Sequence, residues 1–223
     1  MAADLTKFNR FVLKTAERED LNQYWYSPHT IATLAKEVER VATRVAFLST
    51  PSVFFSLKDK QLKERSHLLD LDDQWSSLPN FSVYDFNKPE ELPKELHHQF
   101  DCVVIDPPFI TEEVWAKYCA TAKLLLPEHG GKVILTTIAE NKQMLKCVTC
   151  CMIPICSSTP LEWVVVTTHS VARVFVGAGR ELFGVEPCVF QPSIPHLVYQ
   201  YCCYANFQTG RLAQPNPELA AHE

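Results

Sequence analysis

Cys102-Val103-Val104-Ile105-Asp106-Pro107-Pro108-Phe109 is four apolar residues that stop on a carboxylate and two prolines. A run this short, with no polar alternation, reads as a strand buried on both faces. Proline cannot extend a central strand, so the chain must turn directly after Ile105. Four similar runs surround it: Arg44–Ser49, His67–Leu71, Phe81–Phe86 and Lys132–Thr137. Between them lie helical patterns. Thr30–Val41 sets Ile31, Leu34, Ala35, Val38 and Val41 on one face, with Ser27-Pro28 ahead as N-cap and first-turn proline. Glu112–Leu126 repeats the spacing through Val114, Trp115, Tyr118, Ala122 and Leu125. Buried strands alternating with amphipathic helices predict a parallel sheet covered on both sides. At the end, Pro187–Phe190 and Leu197–Phe207 flank Pro192-Ser193-Ile194-Pro195, which predicts an antiparallel hairpin.

The fold class expected is therefore α/β, a Rossmann-like sheet, mostly parallel with an antiparallel C-terminal hairpin. The 223 residues suit one domain, and 47% hydrophobic residues exclude a disordered chain. A net charge of −5 argues against a broad cationic face for nucleic acid. No membrane span is expected, because no window of 18 residues is uninterruptedly apolar. The first twenty residues mix charges throughout and predict no secretory signal. Isolated cysteines in apolar surroundings (Cys102, Cys119, Cys188) read as reduced, so the expected compartment is cytoplasmic.

Three boundaries follow. Residues 1–20 are expected as a helical or flexible extension, 21–210 as the main domain and 211–223 as a flexible tail. Within the domain, Cys147–Arg180 carries Glu162, Arg173 and Arg180 as its charged side chains, and it interrupts a helix running from Ala139–Lys146 into Glu181–Gly184. It reads as an insertion, either an extra hairpin from Trp163–Thr168 and Val171–Val176 or a retained segment without its own fold. The second reading is preferred, and deleting the segment is then expected to raise the melting temperature or soluble yield. Cys147, Cys150, Cys151 and Cys156 begin like a zinc knuckle but lack the second ligand pair, so no metal is expected.

Ligands of open α/β sheets bind beyond the carboxyl ends of the strands, which is where Asp106, Pro107, Pro108 and Phe109 fall. Two prolines fix the backbone and remove two donors, leaving rigid acceptors that can orient the N–H groups of an amine. Phe109 adds an aromatic face for a flat base or a cation. The plain alternative is a turn that only ends a strand. Asp70 or Asp72, after the second strand, is a further acidic candidate, or is simply a solvated strand end. Asp85, after the third strand with Phe86 beside it, is another candidate, or closes an Asx-turn. The first-strand turn, Ser49-Thr50-Pro51-Ser52, has small residues but no glycine.

These motifs resemble a known family. Asp106-Pro107-Pro108-Phe109 is similar to the motif of amino-methyltransferases, and the strand layout to that of the class I methyltransferases. Together with Gln23-Tyr24-Trp25-Tyr26-Ser27, Thr50-Pro51-Ser52-Val53 and Tyr84-Asp85-Phe86-Asn87-Lys88-Pro89, it resembles the eukaryotic elongation factor 1-alpha lysine methyltransferase 1 family. That family was earlier labelled as an adenine-N(6) DNA methyltransferase. The resemblance implies an S-adenosylmethionine-dependent protein-lysine N-methyltransferase acting on elongation factor 1-alpha; a monomer is expected. It implies Asp106–Phe109 at the amine, and Tyr26, Ser27, Ser49, Thr50, Pro51, Asp70, Asp85, Phe86 and Asp106 at S-adenosyl-L-methionine, with Asp70 preferred over Asp72 for the ribose. Tyr24, Trp25 and Phe109 are expected to line the lysine channel or the cofactor edge. Two other readings stay open: an adenine-N(6) nucleic-acid methyltransferase, and an isoform impaired by the insertion.

Overall fold

A computed structural model describes residues 8–142, 144–145 and 184–219. The expected insertion Cys147–Arg180, with its cysteine cluster and both hairpin segments, lies outside the described residues. So does the expected helix stop at Glu181 apart from Gly184.

The elements run α1 (Arg10–Lys14), α2 (Pro28–Val41), β1 (Val45–Leu48), α3 (Pro51–Ser56), α4 (Lys60–Arg65), β2 (His67–Asp70), β3 (Phe81–Val83), β4 (Cys102–Ile105), α5 (Glu112–Leu125), β5 (Lys132–Ile138), β6 (Glu186–Pro187) and β7 (Tyr201–Ala205). The strands form one sheet in the order β3-β2-β1-β4-β5-β7-β6. β1 through β5 pair in parallel, whereas β7 runs antiparallel to both β5 and β6. The order reverses between β1 and β4, so the carboxyl ends of these two strands diverge into a crevice.

Both faces of the sheet are covered, which is why its central strands carry no polar alternation. Val45, Phe47, Leu68, Cys102, Val104 and Ile134 face a core shared with α1, α2 and α3. Their neighbours Ala46, Leu48, Leu69, Val103, Ile105, Val133 and Leu135 face α5 through Trp115, Tyr118, Cys119 and Ala122. Alternate residues of each strand thus feed two separate cores.

The caps explain where the helices begin. The Ser27 hydroxyl accepts from the Thr30 amide at 3.1 Å and Pro28 opens α2, as expected from the sequence. Thr111 caps α5. Buried Glu37 of α2 accepts from the Gly210 and Arg211 amides (2.8 and 2.6 Å) and from Arg40 (2.6 Å).

The structure adds three details to the sequence reading. Residues after 210 are held as far as 219, since Leu212 and Asn216 are buried and Glu37 anchors the turn that leads to them. The part of the expected extension from residue 8 onward is likewise fixed, because Phe11 packs edge-on against Trp25 (4.9 Å) and stacks on Phe55 (5.4 Å). The C-terminal hairpin is present but short. Pro192 and Pro195 have no amide to give a ladder, so residues 189–200 leave the sheet and bring Ile194, Leu197 and Tyr199 to its carboxyl end instead.

Candidate active site

Past the carboxyl ends of β1, β2 and β4 lies a cavity of about 290 Å³. The sequence folds toward it at four corners.

The first corner follows β1. Ser49 adopts φ 54°, the left-handed conformation that a glycine would take without strain. Its amide donates to the Leu69 carbonyl (2.9 Å) and its hydroxyl meets that of Tyr118 (2.7 Å). Thr50 and Pro51 then start α3 and are buried beneath the cavity wall.

The second corner ends β2. Asp70 is 5% exposed, lines the cavity and accepts from the Asp72 amide at 2.9 Å. Burial pushes its carboxyl up to about 7, against the pull of backbone amides. Asp72 is occupied elsewhere. It accepts from Arg18 (3.2 Å), from the Gln74 side chain (2.5 Å) and from the Gln74 amide (3.2 Å).

The third corner ends β3 at Val83. Tyr84 and Phe86 line the cavity, and Asp85 does not. The Asp85 carboxylate accepts from both the amide and the side chain of Asn87, at 2.9 and 3.0 Å. The alternative Asx-turn is therefore what forms, and Phe86 supplies the wall.

The fourth corner is Asp106-Pro107-Pro108-Phe109, all four lining the cavity. Burial raises the Asp106 carboxyl to about 7, while the hydroxyls of Tyr26 and Thr136 pull it back. Thr136 donates to Oδ1 at 2.8 Å. The Pro108 carbonyl accepts from the Asn22 side-chain amide, so one of the two rigid acceptors is already engaged by the protein. Phe109 remains 50% exposed at the mouth.

Ser49, Asp70, Phe86 and Asp106–Phe109 are thus brought together, with Tyr24 and Trp25. Five residues expected at the cofactor are not on the surface of the cavity: Tyr26 sits behind Asp106, Ser27 caps α2 and contacts Glu218, Thr50 and Pro51 lie under the first corner, and Asp85 closes its own turn. Sequence reading missed Tyr118, whose position on a helix gave no hint of its hydroxyl, and also Tyr199 and Tyr201, which the irregular segment before β7 and the start of that strand deliver to the cavity. It also left Gln23 without a role. The Gln23 Oε1 atom is buried without a partner, and the residue lines the cavity.

The described lining holds two carboxylates, eight aromatic rings and no lysine, arginine or histidine. Such a wall favours a cation, through charge at two points and through ring faces between them. The strand order, the one antiparallel inner strand and the site at the switch point define a class I methyltransferase. A family model described as "Probable N6-adenine methyltransferase" matches residues 17–209. Among curated proteins, EEF1A lysine methyltransferase 1 of Gallus gallus is 36% identical over 91% of this chain and 82% of its own length. The protein of that name from Mus musculus is 34% identical over 92% and 80%. Protein-lysine N-methyltransferase EFM5 of Saccharomyces cerevisiae is 35% identical over half of each chain. The chain belongs to the EEF1A lysine methyltransferase 1 family.

Proposed function

We propose that the protein transfers a methyl group from S-adenosyl-L-methionine to the ε-amino group of a lysine, with elongation factor 1-alpha as substrate. One observation carries the reading: the cavity presents Asp70 and Asp106 and no cationic side chain among its described residues. Both intended ligands are cations in solution. A nucleic-acid substrate would bring phosphates toward two carboxylates with no basic residue on the wall to receive them, which disfavours the adenine alternative.

The residues fit the cofactor. Asp70 has two oxygens for the ribose diol, Phe86 gives a flat face for the base, and the unpartnered Gln23 Oε1 can accept from an ammonium. When bound, S-adenosyl-L-methionine supplies a sulfonium-activated methyl group. The chain's own residues must do the rest.

A lysine is about 99.9% protonated at neutral pH, and only the neutral amine attacks. Aromatic walls from Tyr24, Trp25, Phe109, Tyr199 and Tyr201 lower its pKa by excluding water once the lysine enters between them. Asp106 and the Pro107 carbonyl accept the nitrogen's protons as hydrogen bonds and so aim its lone pair. A carboxyl that titrates near 7 is also able to take up a proton transiently. Among the described residues no helix is long and apolar enough to cross a membrane. The reading includes a monomer in the cytoplasm, where free thiols such as Cys102 and Cys119 stay reduced.

The test is incubation of the full chain with methyl-labelled S-adenosyl-L-methionine and either elongation factor 1-alpha or adenine-containing oligonucleotides. Label in lysine is expected. Label in the oligonucleotide alone overturns the lysine reading, and no label with no calorimetric cofactor binding points to the impaired isoform.

A further inference from the structure

Behind Asp106, outside the cavity, two hydroxyls stand in line. Tyr26 ends the segment before α2 and Thr136 lies in the middle of β5; each is 3% exposed. Tyr26 Oη is 2.6 Å from Thr136 Oγ1, and Thr136 Oγ1 donates to Asp106 Oδ1 at 2.8 Å. A threonine hydroxyl has one proton. Since Thr136 gives it to the carboxylate, the proton between Tyr26 and Thr136 must come from the tyrosine. Burial, and then the Asp106 charge, hold the Tyr26 phenol well above its ordinary value, so it remains a donor throughout the neutral range. Both hydroxyls therefore direct their protons toward the Asp106 carboxyl, the Thr136 bond ending on Oδ1. The Tyr26 hydroxyl also reaches the Asp106 carboxyl, so both hydroxyls hold it from the interior, and the residue opens onto the cavity.

We propose that Thr136, oriented by Tyr26, is a positioning residue for the methyl transfer. It fixes the rotation of the Asp106 carboxyl so that one oxygen is tied to the interior and the other is presented to the substrate amine. This rests on the lysine reading above. Without the tether, a carboxyl on a single torsion samples orientations that do not face the amine, and the aimed lone pair is lost. The other ionisable groups facing Asp106 are Tyr118 of α5 and Tyr201 of β7, with Asp70 across the same cavity. None is a cation able to draw the carboxyl to itself.

The experiment uses the full chain with Thr136→Val, Thr136→Ser and Tyr26→Phe. The Asp106 side-chain carbon is followed by NMR against pH without ligands, and kcat and KM for elongation factor 1-alpha are measured across pH. Loss of a donor to the carboxylate raises its pKa, so Thr136→Val should move the Asp106 midpoint up by about one pH unit. It should lower kcat about tenfold with KM little changed, and carry the acid limb of kcat upward with the NMR midpoint. Thr136→Ser should restore both readouts. Tyr26→Phe should shift both in the same sense, since it too removes a donor to the carboxyl, and it carries the test if Thr136→Val fails to fold. An unshifted Asp106 midpoint in a folded Thr136→Val or Tyr26→Phe protein overturns the proposal even if activity falls, because that pattern marks a structural role. A wild-type chain that methylates no lysine overturns the activity reading instead, and the NMR midpoint still decides whether the tether acts on Asp106.

Discussion

The hydroxyls of Ser49 and Tyr118 lie 2.7 Å apart and join the turn after β1 to the middle of α5. Ser49 holds φ 54° at this point, where a Rossmann-like turn ordinarily has a glycine. The bond to Tyr118 opposes the backbone cost of that conformation, each on the order of 1 kcal/mol. Ser49→Gly removes both and should stay within about 1 kcal/mol of wild type in urea unfolding. Ser49→Val loses the bond and puts a β-branched side chain in the left-handed region, so it should be destabilised by roughly 2–3 kcal/mol. Equal stability of the two variants would remove the argument.

That turn also shows what a sequence can and cannot disclose. The five parallel strands and α2 are legible because burial on two faces and a helical stripe are properties of residue order. The donor set around Asp106 is not. Thr136 looks like one more β-branched strand residue, and only the parallel register of β4 with β5 sets the two strands side by side. Likewise α3 and α4 are six residues each, too short to print a period, and Asp85 differs from Asp70 only in what the next two residues do with the carboxylate.

Asp70 and Asp72 separate by function. Asp70 faces the cavity without a cation, while Asp72 is held by Arg18 and Gln74. Asp70→Asn should weaken S-adenosyl-L-methionine about 10–100-fold by calorimetry, since a diol loses its charged acceptor. Asp72→Asn should leave that affinity within about twofold and lower the melting temperature by about 2–4 °C. The reverse pattern would assign the ribose to Asp72.

Both cavity carboxyls make the unliganded fold weaker as pH rises. Unfolded, an aspartate ionises near 3.9; folded, Asp70 and Asp106 do so near 7. Between about pH 4 and 7 the native state binds more protons than the unfolded one, so these groups lower stability steadily across that window. Above 7 the penalty is complete, on the order of a few kcal/mol for the pair. Wild type and Asp70→Asn/Asp106→Asn should be compared by thermal scans at pH 5 and pH 8. The double variant should lose several degrees less between the two pH values. An identical loss in both proteins would mean that neither carboxyl is raised.

Asn22 links the entrance of the cavity to its floor. It adopts φ 52°, a conformation that asparagine tolerates, and its side-chain amide donates to the Pro108 carbonyl. This bond ties residues 17–25 to the Asp106–Phe109 turn. Asn22→Gly keeps the backbone conformation and deletes only the grip, so the melting temperature should change little. The freed Pro108 carbonyl then faces the cavity as a second acceptor, and the turn loses the contact that fixes its tilt relative to Asp106. Transfer to lysine should fall about tenfold in kcat, with cofactor affinity within about twofold. Asn22→Asp is the sharper variant, because it sets a carboxylate against a carbonyl oxygen and must push the turn away. It should lose activity at least as far as Asn22→Gly. If Asn22→Asp keeps wild-type kcat, the turn is held by its prolines alone, and the grip from the N-terminal segment has no part in catalysis.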